Sequence, residues 1–216
     1  SSDNIMIGYQ CGYGINEESF TITRLGSNLN GNAQYQYYGY SVSSSSTENP
    51  SYRIAIGSPR HNNGSLRYAG CVKIYYYEQE NNNWILEKEI LGNTSYSYLG
   101  HSLKISSDGT HLVIGSPYEK DYNNNWGSGS LRIYKHDGTN WNIQEIKNPT
   151  TGFMQNVFYG SSREYSSLNV DISSDGSAIV QGGYGEYNYS SKIYYQGKVR
   201  YWRYDGSGSG SGYWEL

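Results

Sequence analysis

The sequence offers few residues whose types and spacing could support catalysis. Its histidines are His61, His101, His111 and His136. None of them has the His-x-His or His-Glu-x-x-His spacing that binds metal ions. His111 could pair across a predicted hairpin near Lys104, although a surface polar side chain is the simpler interpretation. Asp171 and Asp175 could form an acid pair, but Asp175 stands in a predicted turn. We find no set of nucleophile, base and orienting residue, and therefore expect no enzymatic activity and no cofactor.

Aromatic side chains are the other candidates for a binding function. The chain has 26 tyrosines and only 3 phenylalanines. Tyrosine favours strands, and its ring can pack on apolar groups while its hydroxyl contacts water. Tyr76, Tyr195 and Trp202 are the candidates for an exposed platform on which a sugar could stack. The alternative is that alternate rings along each strand fill the space between sheets.

Two cysteines and three asparagines bear on where the protein acts. Cys11 and Cys71 are either a disulfide or two buried thiols. Asn63, Asn93 and Asn188 each begin an Asn-x-Ser/Thr sequence in a predicted loop. The three sequons in loops, together with few lysines and abundant tyrosine, asparagine and serine, favour a secreted glycoprotein located outside the cell or at its surface.

Charge and hydropathy exclude two classes of partner. The 216 residues carry a formal net charge of −3, which gives no electrostatic basis for binding nucleic acid or an anionic membrane. No apolar run approaches the length of a membrane-spanning helix, so we expect no insertion into a membrane.

A repeated hairpin organises these residues. Residues 98–117 alternate apolar and polar side chains, turn at Asp108-Gly109, continue through an apolar run and end at Pro117. Similar stretches occupy residues 38–59 and 173–182. The final glycines, Gly57, Gly115 and Gly182, lie 58 residues (115 − 57) and 67 residues (182 − 115) apart. Short strands that recur at about this period are typical of the blades of a β-propeller.

Further strands complete each unit. They are predicted at residues 71–77, 84–91, 131–135, 141–146, 197–204 and 213–216. Residues 84–91 also have helical propensity, but the matching stretch 141–146 alternates as a strand does. A first, incomplete unit has strands only at residues 5–7 and 18–25.

The repeated residues resemble FG-GAP repeats, the blades of the propeller in integrin α subunits. The resemblance rests on three motifs, which are Leu99-Gly100-x-Ser102-Leu103, Ile114-Gly115-Ser116-Pro117 and Gly129-Ser130-Leu131-Arg132-Ile133-Tyr134. It implies one all-β domain over residues 1–216, with four-stranded antiparallel blades at about 37–94, 95–152 and 153–216 and a partial blade at 1–36. Many such repeats bind calcium through Asp-x-Asp-x-Asp-Gly. The matching turns here contain a single carboxylate, Asp108 or Asp175, so we expect no calcium in them.

Two functions fit these observations. The first is a non-enzymatic extracellular structural or adhesion module that acts by protein–protein contact or by self-assembly into a fibre or surface coat. The second is a carbohydrate-binding propeller that uses exposed tyrosine and tryptophan. Because the first unit lacks a strand, we also expect an open blade edge, which either belongs to a longer repeat protein or pairs with another subunit.

Overall fold

The computed structural model describes residues 24–46, 52–149, 151–185, 195–206 and 212–216. These residues form three mostly antiparallel sheets of four, five and six strands. The all-β class predicted from the sequence is therefore confirmed. The strands predicted at residues 5–7 and most of the one at 18–25 lie outside the described residues.

The first sheet is a simple antiparallel meander. Its strands follow one another in the order β1 (Ser41–Ser44), β2 (Arg53–Ser58), β3 (Cys71–Glu78) and β4 (Asn83–Leu91). The ambiguous stretch near residue 86 is a strand, because β4 pairs with β3 along almost its whole length. Pairing with a central strand thus outweighs the helical propensity of Leu86-Glu87-Lys88-Glu89.

The second sheet repeats this arrangement. Its meander is β5 (Ser102–Ile105), β6 (His111–Ser116), β7 (Ser130–His136) and β8 (Trp141–Ile143), and the short β11 (Phe158–Tyr159) pairs with the other end of β7. The predicted turn is present at Asp108-Gly109, where Gly109 has a φ of 71° and its N–H donates to the Ser106 carbonyl at 2.9 Å. Only glycine adopts that backbone conformation at little cost.

The third sheet contains a further meander and receives part of the second unit. Its own strands are β12 (Asn169–Ile172), β13 (Ala178–Gly183), β14 (Lys198–Asp205) and β15 (Tyr213–Glu215). Two short strands, β9 (Ile146–Lys147) and β10 (Met154–Gln155), join it beyond β15, with a parallel pairing of Ile146 and Trp214. The single strand predicted at residues 141–146 is therefore divided between two sheets.

The three sheets lie one against the next, with an apolar layer in each gap. The first layer lies between the first and second sheets and includes Ala55, Ile74, Leu103 and Leu112. The second layer lies between the second and third sheets and includes Val113, Ile133, Ile179, Trp202 and Trp214. A single sheet has two faces and can bury both only between neighbours, which is the position of the second sheet.

Equivalent first strands lie beside one another. The Ser46 N–H donates to the Ser107 carbonyl at 2.9 Å, and the Ser107 N–H donates to the Ser174 carbonyl at 3.0 Å. The Ile105 N–H donates to Ser43 Oγ at 3.1 Å. Successive units are thus linked near the ends of β1, β5 and β12, although the described residues form no closed ring of sheets. Across the same residues, no helix has the length and apolar character needed to span a membrane.

Candidate functional site: a tyrosine-rich loop surface

The loops before the first strand of each sheet share an unusual backbone. Positive φ angles occur at three alternate residues in each loop. The sets are Tyr35, Tyr37 and Gly39 in the first, Tyr96, Tyr98 and Gly100 in the second, and Arg163, Tyr165 and Ser167 in the third. A non-glycine residue in this region is strained, and such strain persists only where surrounding contacts fix it.

A second set of loops, before the third strand of each sheet, repeats the same alternation. Here the positive φ angles fall on Tyr68 and Gly70, on Gly127 and Gly129, and on Tyr195 and Gly197. Together the two sets place seven tyrosines in the left-handed region, namely Tyr35, Tyr37, Tyr68, Tyr96, Tyr98, Tyr165 and Tyr195.

Backbone hydrogen bonds join these loops across the sheets. The N–H groups of Tyr96 and Tyr98 donate to the carbonyls of Arg67 and Tyr68, at 2.7 and 3.1 Å. One sheet further on, Tyr165 donates to Gly127 at 2.7 Å. The pre-first-strand loops of the second and third sheets are thus held by the pre-third-strand loop of the preceding sheet, and this pairing fixes their strained backbone.

The side chains of these loops form a continuous aromatic surface, which we call the tyrosine ladder. Its members are Tyr37, Tyr40, Tyr68, Tyr96, Tyr98, His101, Tyr118, Tyr165, Tyr184 and Tyr195. Tyr118 lies at its centre, with ring centroids 5.1 Å from Tyr98 and 5.5 Å from Tyr165. Tyr165 in turn stacks on Tyr184 at 5.3 Å. These distances are within the range of favourable aromatic pairs.

The centre of the ladder forms an open pocket of about 340 Å³. Its lining residues are Tyr96, Tyr98, Tyr118, Trp126, Gly127 and Tyr165. Burial raises the pKa of the Tyr98 and Tyr118 hydroxyls above that of free tyrosine, so both stay protonated at neutral pH. The pocket therefore presents uncharged rings and hydroxyl donors.

Two cations border the ladder. The Arg60 guanidinium lies 4.3 Å from the ring centroid of Tyr37 and 5.6 Å from that of Tyr68. At the pocket, the Lys120 ammonium lies 4.1 Å from the Trp126 ring. Both contacts are cation–π interactions, which hold the charges on ring faces at the edge of the surface.

The three aromatic residues singled out from the sequence have different positions. Tyr195 is 70% exposed and forms one end of the tyrosine ladder. Tyr76 is half-buried on β3 and lies opposite Arg53. The expectation that Trp202 contributes to an exposed surface is wrong, because the side chain is fully buried and its Nε1–H donates to Gln181 Oε1 at 2.8 Å.

The candidate acid–base residues have structural partners. Asp171 lies 3.8 Å from the Lys104 ammonium. Asp175 accepts hydrogen bonds from Ser173 and Ser177, which lower its pKa to about 2. Asp108 makes the same kind of contacts in the equivalent turn. Among the described residues, no three histidine, cysteine or carboxylate side chains are arranged to hold a metal ion.

The interpretation of His111 as a surface residue is wrong. Its side chain is only 8% exposed, beneath Gly176, and it pairs with Lys135 on β7 rather than lying across from Lys104. Burial and the nearby Lys135 ammonium lower its pKa. The residue therefore contributes to packing as a neutral imidazole.

The remaining charged groups inside the molecule form ion pairs between strands or sheets. Arg53 donates to both carboxylate oxygens of Glu87 at 2.9 Å, and the Trp141 indole N–H donates to the same carboxylate at 2.9 Å. Arg132 and Glu119 make an equivalent bidentate pair. Each of these charges has a partner of opposite sign, and none of them lines the central pocket of the ladder.

The cysteine and the sequons occupy the kinds of position that the sequence predicts. Cys71 is buried at the start of β3, where burial raises the pKa of its thiol to about 12. Asn93 is exposed in the loop after β4, and Asn63 lies half-buried in the loop before β3. Cys11 and Asn188 lie outside the described residues, so the disulfide and the third sequon stay predictions.

Comparison of the chain with models of known protein families and with curated proteins finds no match. The site must therefore be interpreted from its own geometry. Its central residues, Tyr98, Tyr118 and Tyr165, were not among the candidates predicted from the sequence. The available signal was a tyrosine four residues before the first strand of each unit, which recurs as Tyr37, Tyr98 and Tyr165 in loops that no strand pattern distinguishes.

Proposed function

We propose that this protein is a non-enzymatic module of the extracellular space or cell surface that acts in adhesion through the tyrosine ladder. In this proposal the three sheets are FG-GAP-like blades of an open propeller array, and the ladder crosses their loops at one end. The ligand is a segment of a partner protein. Self-assembly would use the outward face of the third sheet, which overlaps the ladder at Tyr184 and Tyr195 but not at its centre.

The propeller-like arrangement is supported by the recurrence of the same contacts from unit to unit. Ser41 Oγ donates to the Gly100 carbonyl at 2.7 Å, and the equivalent Ser102 Oγ donates to the Ser167 carbonyl at 2.7 Å. Each first strand thus contacts the start of the next first strand through one repeated hydrogen bond. Blades that surround an axis have their first strands side by side in this way.

The single observation that carries the binding proposal is the continuity of the ladder. Its rings come from loops of all three sheets, yet each contacts the next at 4.9 to 6.4 Å. Tyrosine supplies large contact area, a hydroxyl donor and only two side-chain torsions to immobilise, which makes it the most useful residue of many binding surfaces. Four members, Tyr37, Tyr40, Tyr184 and Tyr195, are between 45% and 70% exposed.

A carbohydrate ligand is the second candidate, and the central pocket favours it. Five aromatic rings and no carboxylate line that pocket, whose volume of about 340 Å³ suits a small ligand. A neutral sugar could stack on Tyr118 or Trp126 and exchange hydrogen bonds with tyrosine hydroxyls. A protein segment would instead extend along the ladder towards Tyr184 and Tyr195.

Parallel screens separate the two ligands. The full chain is used to select binders from a displayed random peptide library and to probe a glycan array. We expect peptide binders whose affinity falls at least about tenfold in the Tyr184→Ser/Tyr195→Ser double variant. Glycan binding lost in Tyr118→Ala would favour the carbohydrate candidate instead.

Tyr122→Ser is the matched control. Tyr122 is 77% exposed and contacts Tyr159, which does not belong to the ladder. Ligands that are lost equally in this control and in the ladder variants, or that bind all variants alike, would contradict the proposed site.

A further inference from the structure

The outward face of the third sheet has the composition of a buried face. In the first sheet, Ala55, Val72 and Ile74 face the second sheet, and each is fully buried. In the second sheet, the equivalent Val113, Leu131 and Ile133 face the third sheet and are also fully buried.

Strand register places three residues of the third sheet at the same positions. Gly57 pairs with Val72, Gly115 with Leu131 and Gly182 with Val199. Two residues before each glycine, Ala55 pairs with Ile74, Val113 with Ile133 and Val180 with Tyr201. The third-sheet residues Val180, Val199 and Tyr201 are 43%, 74% and 58% exposed. Among the described residues, a face that is covered twice is thus open the third time.

The three equivalent glycines, Gly57, Gly115 and Gly182, are a second line of evidence that a loop of a following sheet packs on this face. A Cβ on Gly57 would lie 2.2 Å from the Gly100 carbonyl oxygen, and a Cβ on Gly115 would lie 2.1 Å from that of Ser167. Glycine is required at both because the next sheet's loop passes so close. Around Gly182, no atom of the described residues lies within 4 Å of such a Cβ.

A groove lies at the place where, in the other two sheets, a loop of the following sheet packs. Its volume is about 480 Å³, and its lining includes Gly182, Tyr184, Tyr195, Gly197 and Val199. Gly70 and Gly129, the equivalents of Gly197, are pressed against the backbone of Leu99 and Ser166 in the following loop. At Gly197 the nearest such atom is the Gly183 carbonyl oxygen, at 3.4 Å and in the same sheet.

The loop that leads into the first sheet has the required form. Residues 35–39 have the same alternating left-handed backbone as the loops at 96–100 and 163–167, and they lead into β1 in the same way. Tyr35 is 77% exposed, and Val42, on the face of the first sheet turned away from the second, is 67% exposed. This face of the first sheet is equivalent to the face with which the second sheet packs on the first and the third sheet packs on the second.

We infer that the outward face of the third sheet binds residues 35–39 and the first sheet of a second copy of this chain. The contact would continue the two sheet-to-sheet interfaces that already exist inside the chain. It joins different surfaces of the two copies, so it is head to tail and would extend into a filament or close into a ring. It uses neither the pocket nor the centre of the tyrosine ladder.

Self-association of the full chain tests the inference. Sedimentation velocity across a range of concentrations should show species larger than the monomer. The Val199→Asp/Tyr201→Asp double variant should weaken association at least about tenfold, because two carboxylates would be buried without partners. Phe153→Asp, at a residue that is 76% exposed and lies outside this face, should associate as the native chain does.

Gly182→Ala is the gentler variant. Its methyl group meets open space in the single chain but would collide with the carbonyl oxygen of an incoming loop. We expect unchanged stability of the monomer and the same loss of association.

Three results would overturn the inference. The first is a native chain that is monomeric at every concentration. The second is association that survives in both third-sheet variants. The third is a double variant that unfolds more easily than the native chain but has the same sedimenting mass, which would mean that another part of the same chain covers the face. Because Tyr184 and Tyr195 also line the groove, the tyrosine-ladder ligand screen is run in the Val199→Asp/Tyr201→Asp background, where self-association is blocked. Failure of the association experiments then leaves the proposed adhesion function standing.

Discussion

Ser167 is the residue at which the third unit departs from the other two. Gly39 and Gly100 occupy the equivalent positions with φ angles of 87° and 81°, whereas Ser167 has a φ of 61°. Its hydroxyl is buried without a hydrogen-bond partner. Both features cost stability, because serine is strained in this region and a buried hydroxyl loses its contact with water.

We predict that Ser167→Gly raises the free energy of unfolding by about 1 kcal/mol. The gain from removing the strain and the unpaired hydroxyl exceeds the extra backbone entropy of glycine in the unfolded chain. Equilibrium urea denaturation measures the difference.

The neighbouring Ser166→Gly is the control for that measurement. Ser166 is also buried, but its φ is not positive and its Oγ accepts a hydrogen bond from Gln181 Nε2 at 2.6 Å. It should lose stability. If both glycine variants lost stability equally, the account of Ser167 would be wrong.

Glu87 forms an ion pair with Arg53 within the first sheet and accepts a hydrogen bond from Trp141 of the second sheet. Burial alone would raise its pKa, but the hydrogen bonds from Arg53 and Trp141 outweigh burial and leave the pKa below that of free glutamate. The carboxylate therefore stabilises the folded state at any pH above about 4.3, the value in the unfolded chain. This stabilisation is lost as the pH falls through the lower folded-state pKa.

Glu87→Gln should lower the free energy of unfolding by about 3 kcal/mol at pH 7, because it leaves the buried Arg53 without a counter-charge. The difference from the native chain should shrink as the pH falls well below 4. Glu80→Gln, in an exposed turn, should change stability by no more than about 0.5 kcal/mol. A Glu87 effect that stayed constant from pH 7 to pH 3 would exclude the ion pair as its source.

At the scale of strands, local pattern predicted most of what the structure contains. The hairpins at β5–β6 and β12–β13 follow from alternation, from apolar runs and from Asp-Gly turns, and the β1–β2 hairpin follows from alternation and an apolar run. All of these signals depend on near neighbours. The division of residues 141–147 between two sheets could not be predicted in this way. It depends on Ile146 pairing with Trp214, which is far along the chain.

The incorrect placement of Trp202 has a related cause. Along β14, Val199, Tyr201 and Arg203 point to one face, and Arg200, Trp202 and Tyr204 point to the other. Alternation separates the two sets but does not say which face a neighbouring sheet covers. The tyrosine ladder was missed for the same reason, because its members converge only when three units pack together.

Equivalent glycines provide a test of the repeated sheet contact. Gly57→Ala and Gly115→Ala should each destabilise the chain by about 1–3 kcal/mol, since the added methyl group would overlap a backbone carbonyl of the next sheet. Gly182→Ala should be neutral or slightly stabilising in the isolated chain. Thermal unfolding at low protein concentration measures all three, and equal losses would contradict the equivalence of these positions.

At the scale of the whole molecule, the described part of the chain is a series of similar sheets whose first and last members expose different faces. One end presents the exposed face of Val199 and Tyr201, and the other presents Val42 and the loop that contains Tyr35. Inside the series, both faces of the second sheet are covered. A sheet of this kind buries both of its apolar faces only when it lies between two neighbouring sheets. A further sheet added at either end would therefore cover a face that is exposed here.

The most direct measurement mixes two chains, each blocked at one end. Val199→Asp/Tyr201→Asp blocks the third sheet, and Val42→Asp blocks the first. Each alone should sediment as a monomer, and an equimolar mixture should form a 1:1 dimer that grows no further, because only one compatible pair of ends remains. A Val42→Asp chain that still dimerises alone, or a mixture that stays monomeric while the native chain associates, would contradict a head-to-tail continuation of the sheets.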